Sequence, residues 1–124
     1  MTAIQSFGSF GEDAASAYLL DEGYQILKRN WRYRHLEIDL ICRDQDQIVF
    51  VEVKSRRNND YGGAAAAITK QKIKNLSIAA QAWLTQNNAW ALSCRFDVIC
   101  ITGSLRNFTL QHYPDAFLLC APSG

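Results

Sequence analysis

Three residues stand at a spacing that suits hydrolytic chemistry: Asp39, Glu52 and Lys54, in the pattern Asp-x12-Glu-x-Lys. They sit in two apolar runs, Glu37-Ile38-Asp39-Leu40-Ile41-Cys42 and Ile48-Val49-Phe50-Val51-Glu52-Val53-Lys54, separated by the polar segment 43–47. Enrichment in Ile, Val and Phe around a charged separator reads as two strands. A five-residue turn would make them antiparallel. Alternation then places Glu37, Asp39 and Ile41 on one face of the first strand. On the second strand Phe50, Glu52 and Lys54 share a face, and Val49, Val51 and Val53 share the other. A charge among apolar neighbours costs several kcal/mol unless it is paired or bound to a metal. Two carboxylates converging from paired strands suit Mg²⁺ or Mn²⁺, which keep waters and accept phosphate oxygens. Such an ion activates water and stabilises charge on a phosphate under attack. Lys54, on the side of Glu52, is placed to position or deprotonate that water, or to neutralise developing charge. A purely structural arrangement competes with this: a Glu52–Lys54 ion pair, with Asp39 satisfied by backbone amides or an arginine. Spacing alone leaves both open.

The elements that must position these residues are legible in outline. Ser9-Phe10-Gly11-Glu12 has the form of a capping box, and the alanines and leucines after it favour a helix over residues 9–22, closed by Gly23. In the box Glu12 would be a capping residue. Residues 24–34 read as a strand bent near Asn30. Residues 55–63 are polar and end in Gly62-Gly63, a loop signal. Apolar residues from Ile68 to Leu84 at near-helical spacing predict a long helix over 64–87. On it Lys70 and Lys74 share a face and Lys72 points elsewhere. Residues 95–102 and 107–112 read as strands around a turn at 103–106. The order is helix, three strands, helix, two strands, which predicts an α/β three-layer sandwich in one domain spanning residues 1–124.

The totals exclude several classes. No apolar run approaches the roughly 20 residues needed to cross a bilayer. The first residues lack the basic and apolar regions of a signal peptide, so a cytoplasmic, non-membrane protein is expected. None of the four cysteines forms a CxxC pair, and no histidine stands at ligand spacing from them, which argues against zinc. Cys42 and Cys100, inside strand patterns, read as small hydrophobes. Net charge is only +1, yet residues 28–74 hold 11 basic against 6 acidic residues, a net +5, and the remainder carries −4. That asymmetry is compatible with a polyanion partner. Arg56, Arg57, Lys70, Lys72 and Lys74 are candidate phosphate contacts. Trp31, Tyr33 and Tyr61 are candidates either for stacking on bases or for the core.

The chain resembles the YraN family of small bacterial proteins, within the PD-(D/E)xK superfamily of restriction-endonuclease-like, Holliday-junction resolvase-like nucleases. The resemblance rests on Gly11-Glu12 with Ala15 and Tyr18-Leu19, Gly23-Tyr24, Ile26-Leu27, Arg29-Asn30, Glu37-Ile38-Asp39-Leu40-Ile41, Val49 to Lys54 with Arg56, Lys72, and Arg95-Phe96-Asp97-Val98. It covers about residues 7 to 101. It implies a central mixed sheet flanked by helices, and a metal-dependent endonuclease acting on DNA, with branched or single-stranded DNA as candidate substrates. Asp39 and Glu52 would hold Mg²⁺ or Mn²⁺, Lys54 would be the catalytic lysine, and Glu12 would bring a further acid from the first helix. Glu37 would lie at the metal or a layer behind it, and Asp97 would be structural, paired with Arg95 or another base. A non-catalytic nucleic-acid-binding module with the same fold is the alternative, and a homodimer or a protein partner is compatible with either. Where the family usually has Gly before Glu37, this chain has Leu36, which puts the local loop geometry in question.

Overall fold

The run Ile48-Val49-Phe50-Val51 has no polar face, so a strand carrying it must be covered on both sides. The computed structural model, which describes residues 6–57 and 68–117, covers it on both sides. The elements are α1 (Phe7–Asp21), β1 (Gln25–Tyr33), β2 (Leu36–Asp44), β3 (Gln47–Arg56), α2 (Lys70–Gln86), β4 (Ser93–Gly103) and β5 (Phe108–Phe117). The strands form one sheet in the order β1-β2-β3-β4-β5. All neighbours are antiparallel except β3 and β4, which are parallel. That parallel pair requires a long crossover, and α2 lies within it. Ile48 and Phe50 pack with Leu76, Ala80, Trp83 and Leu84 of α2. Val49 and Val51 pack with Ala15 and Leu19 of α1. The protein is therefore an α/β three-layer sandwich in the predicted order. Among the described residues no helix is long and apolar enough to cross a membrane.

Several boundaries differ from expectation, each for a local reason. α1 begins at Phe7, because the Ser6 side chain accepts the Ser9 N–H at 3.1 Å and caps the helix. The Ser9–Glu12 capping box is not used, which frees the Glu12 carboxylate for other contacts. The helix closes as predicted. Gly23 takes φ 92°, and the N–H groups of Gly23 and Tyr24 donate to Leu20 and Leu19 carbonyls at 3.0 and 2.9 Å. α2 starts at Lys70, not near 64, because Thr69 is extended and its hydroxyl accepts the Lys72 N–H at 3.1 Å. Ile68 thus precedes the helix and packs against Val98 and Cys100. Tyr61 and the Gly62-Gly63 pair fall outside the described residues, as does Cys120. The turn between β2 and β3 is two residues, not five, with Gln45 at φ 55°. The turn before Leu36 is also two residues, and its left-handed residue is Arg34 at φ 59°. No glycine is needed at position 36 in this hairpin, and Leu36 is buried in the α2-side core. β5 runs on to Phe117, past the expected end at His112, because Phe117 stacks on Phe96 with centroids 4.8 Å apart.

Asp97 is fully buried on the α1 face and fully partnered. It accepts from Arg95 Nε at 2.9 Å, from Arg95 at Nη2 at 3.2 Å, and from the Asp115 N–H at 2.9 Å. His112 Nε2 donates to it at 2.7 Å, which leaves Nδ1 to accept the Tyr18 hydroxyl at 3.0 Å. Arg95 reaches on to the Tyr24 hydroxyl and Gln47. One carboxylate thus ties β4 to β5, α1 and the β3 start, a structural role as the resemblance implied. Cys42 and Cys100 are buried and free, and burial pushes the Cys42 thiol up to about 12, so they behave as small apolar groups. Asp97→Ala would strand the Arg95 guanidinium and the Asp115 N–H. It is expected to cost about 3–5 kcal/mol in urea unfolding. A loss below about 1 kcal/mol would show that the network is not needed for stability.

Candidate metal centre

The site forms where two strands part. The β2–β3 ladder runs from Asp44–Gln47 to Leu40–Val51 and pairs no further. At that point the Val53 N–H donates not to a backbone carbonyl but to Asp39 Oδ2, at 2.8 Å. Strict alternation along β2 fails here. Ile38 and Ile41 both enter the α2-side core, and Leu40 and Cys42 enter the α1-side core. Ile41 therefore does not share a face with Glu37 and Asp39, contrary to the sequence reading. The slip falls at Asp39, whose carboxylate replaces a missing ladder acceptor. β1 adjusts opposite it: Arg29 pairs with Leu40 and Trp31 with Ile38, and Asn30 between them has φ 51°. Asparagine tolerates that left-handed conformation better than most residues.

Asp39, Glu37 and Glu12 converge at this slip. Each offers one carboxylate oxygen, and the three oxygens lie within 4.8 Å of one another. Glu12 comes from the second turn of α1, free of capping duty. Burial raises its carboxyl pKa, and repulsion from Asp39 and Glu37 adds to the rise. Asn30 offsets part of this. With its amide nitrogen facing the acids, it donates to Glu12 Oε1 and Oε2 at 3.0 and 2.9 Å and to Glu37 Oε1 at 2.9 Å. Arg32 pairs with Glu37 at 3.3 Å from the solvent side.

Glu52 lies beside Asp39 rather than in this trio. Its side chain is 6% exposed, and among the described residues its Oε2 has no hydrogen-bond partner. Lys72 Nζ stands 3.3 Å from that oxygen as an ion pair without hydrogen-bond alignment. The Glu52 pKa is pushed up to about 8, first by burial and then by its hydrogen bond with and repulsion from Asp39, with Lys72 and Lys54 pulling the other way. Lys54 follows two residues on. The register Phe50–Phe96, Glu52–Val98, Lys54–Cys100 keeps it on the α2 face with Glu52. Among the described residues Lys54 forms no ion pair, so the lysine that holds Glu52 is Lys72 and not Lys54. Lys72, read from sequence as a phosphate contact, is thus drawn into the site from the first turn of α2. Arg56 and Arg57 follow at the end of β3, and Lys70 and Lys74 are exposed on α2. The structure brings Glu37 into the cluster, and it gives Asn30 a role that the sequence reading did not assign. The left-handed Asn30 was visible only as a suspected bend.

The donor set fits a hard divalent cation. It is all oxygen, carries several negative charges, and includes one buried carboxylate oxygen with no hydrogen bond. The structural alternative from the sequence is met in one respect, because a backbone amide does satisfy one Asp39 oxygen. It fails in the other, because the Glu52–Lys54 pair is absent.

Residues 11–101 match the model of a family described as "Uncharacterised protein family UPF0102". A "UPF0102 protein" from Nitratidesulfovibrio vulgaris is 45% identical over 122 residues, covering 98% of this chain and 91% of that protein. A second, from Prosthecochloris aestuarii, is 43% identical, covering 89% of this chain and 91% of its own length. A third, from Phocaeicola vulgatus, is 35% identical, covering 94% and 96%.

The acid crowding has a pH signature in metal-free protein. A carboxyl whose folded pKa lies above its unfolded value binds its proton more tightly when folded. The stability it contributes is therefore present at low pH and lost as pH rises. For Glu52 the window runs from its ordinary 4.5 up to about 8. Urea midpoints in EDTA are expected to fall across that window. Glu52→Gln is expected to flatten the slope, losing less stability than the parent between pH 4.5 and about 8. An unchanged slope in the variant would place the titration elsewhere.

Proposed function

We propose that this chain, which belongs to the UPF0102 (YraN) family, is a metal-dependent nuclease that hydrolyses phosphodiester bonds in DNA. The observation that carries the reading is the convergence of Glu12, Glu37 and Asp39 within 4.8 Å, with buried Glu52 alongside. Glu12, Glu37 and Asp39 would hold Mg²⁺ or Mn²⁺, with Glu52 as a neighbouring ligand. The bound ion would supply an activated water and charge stabilisation at the phosphate. The chain's own groups do the rest. Asn30 fixes the Glu12 and Glu37 oxygens, and the Val53 N–H fixes Asp39. Lys72 neutralises part of the Glu52 charge. Lys54, without an ion pair among the described residues and on the Glu52 face, is the group available to position water or meet charge on the phosphate. Arg56, Arg57, Lys70 and Lys74 offer phosphate contacts that carry little sequence information.

A non-catalytic DNA-binding module is the second reading. It is favoured by the Lys72–Glu52 ion pair and the Asp39–Val53 bond, which give both acids a structural use. The two readings part on turnover. Purified protein is incubated with branched, single-stranded and duplex DNA, with Mg²⁺, with Mn²⁺ or with EDTA. Metal-dependent cleavage is expected, reduced about 10²-fold or more in Asp39→Ala and Lys54→Ala. Asp39→Ala should also lose Mn²⁺ binding by calorimetry. Salt-sensitive DNA binding without cleavage of any substrate would select the binding module. Absence of divalent-ion binding would sink the nuclease reading.

A further inference from the structure

Among the described residues β1 is an outer strand of the sheet, hydrogen-bonded only to β2. Its segment Lys28-Arg29-Asn30-Trp31-Arg32-Tyr33-Arg34 has four cations and no acid, interleaved with two large aromatics. Two of the cations are occupied: Arg29 pairs with Asp13 at 2.6 Å and Arg32 with Glu37 at 3.3 Å. Lys28 and Arg34 have no carboxylate partner among the described residues. Trp31 and Tyr33 alternate with Asn30 and Arg32, so the strand turns its rings to the α2 side and its polar groups to the acid cluster. The rings lie 8° from parallel with centroids 6.3 Å apart. The Arg34 guanidinium sits 5.2 Å from the Tyr33 centroid. Both rings are anchored against the α2-side core and remain partly exposed.

We infer that this outer strand is a subsite for an unpaired stretch of DNA, with Trp31 and Tyr33 as the base-stacking ledge and Arg34 and Lys28 as phosphate contacts. The inference rests on reading the acid cluster as the hydrolytic centre, and it gives that centre a substrate class. Flat rings backed by the core have little rotamer freedom left to lose when a base stacks on them. Their π-faces accept any base, so the ledge adds affinity without sequence preference. Cations without carboxylate partners on the same edge complement a phosphate backbone. In a duplex the base faces are already stacked on one another, so the ledge has nothing to hold. Asn30 and Arg32, on the same strand, contact Glu12 and Glu37, so a strand lying along β1 runs beside the candidate metal site.

The test is binding of labelled single-stranded and duplex DNA of about 12 nucleotides, in EDTA, to the full chain. The single strand is expected to bind at least tenfold more tightly than the duplex. Trp31→Leu and Tyr33→Leu should each weaken single-strand binding about tenfold, and Trp31→Phe, which keeps a ring, should hold it within about twofold. If Trp31→Leu fails to fold, judged by thermal melting, Tyr33→Leu and Arg34→Ala carry the test. Equal affinity for single strand and duplex would overturn the subsite. So would wild-type affinity in folded ledge variants, or tighter binding of RNA of the same length. Cleavage with Mg²⁺ is measured separately. Single-strand preference lost in the ledge variants, without cleavage by the parent, upholds the subsite and removes the hydrolytic reading. Metal-dependent cleavage with equal binding of both forms removes the subsite alone.

Discussion

Carboxylates do not gather without a compensating charge, and the site is built around that constraint. Like charges about 4 Å apart repel by roughly 4 kcal/mol at the effective dielectric of a protein surface. One oxygen each of Glu12, Glu37 and Asp39 lie within 4.8 Å of one another, and Glu52 is buried beside them. The surrounding groups answer part of the repulsion: the Asn30 amide, the Val53 N–H, Arg32 on the rim and Lys72 from α2. Burial first, and then the repulsion left over, raise the carboxyl pKa values of Glu12 and Glu52.

The two buried acids among the described residues, Asp97 and Glu52, make an instructive contrast. Asp97 is enclosed by Arg95, His112 and a backbone N–H, with both oxygens satisfied. It tethers strands and helix and has nothing left to offer a ligand. Glu52 is almost as deeply buried, yet one oxygen has no hydrogen bond and faces a lysine at 3.3 Å. A buried charge that is fully partnered belongs to the architecture. One left incomplete beside other acids is a candidate for ligand binding.

The sandwich positions these groups by layering. α1 covers one face of the sheet and delivers Glu12; α2 covers the other and delivers Lys72. The acids meet between the layers because β2 and β3 separate beyond Leu40 and Val51, which opens a gap in an otherwise continuous ladder. The same parting obliges Asp39 to serve as a hydrogen-bond acceptor for Val53. Neither helix reaches the gap by its apolar stripe. Each reaches it by one polar side chain near its N-terminal end, the end at which carboxylates and phosphates are electrostatically favoured.

Sequence by itself determined the strands, their order and the α1 stop at Gly23, and it singled out Asp39, Glu52 and Lys54 as candidates for chemistry. These follow from local rules: a period of two, a two-sided apolar run that must be buried twice, and a glycine that takes positive φ. Its errors were also local. The capping box over Ser9–Glu12 lost to Ser6, one helical turn earlier, because a cap is chosen by competition among neighbouring hydroxyls. Only the tertiary structure decided which acids meet. Strict alternation assigned Glu37, Asp39 and Ile41 to one face, and the slip at Asp39 exists because β3 moves away from β2 beyond Val51. The place of Glu37 in the trio, the role of left-handed Asn30 and the capture of Glu52 by Lys72 all depend on that divergence. Contacts between residues 20 or more apart in sequence follow from how layers pack, and no pattern within a single strand or helix encodes them.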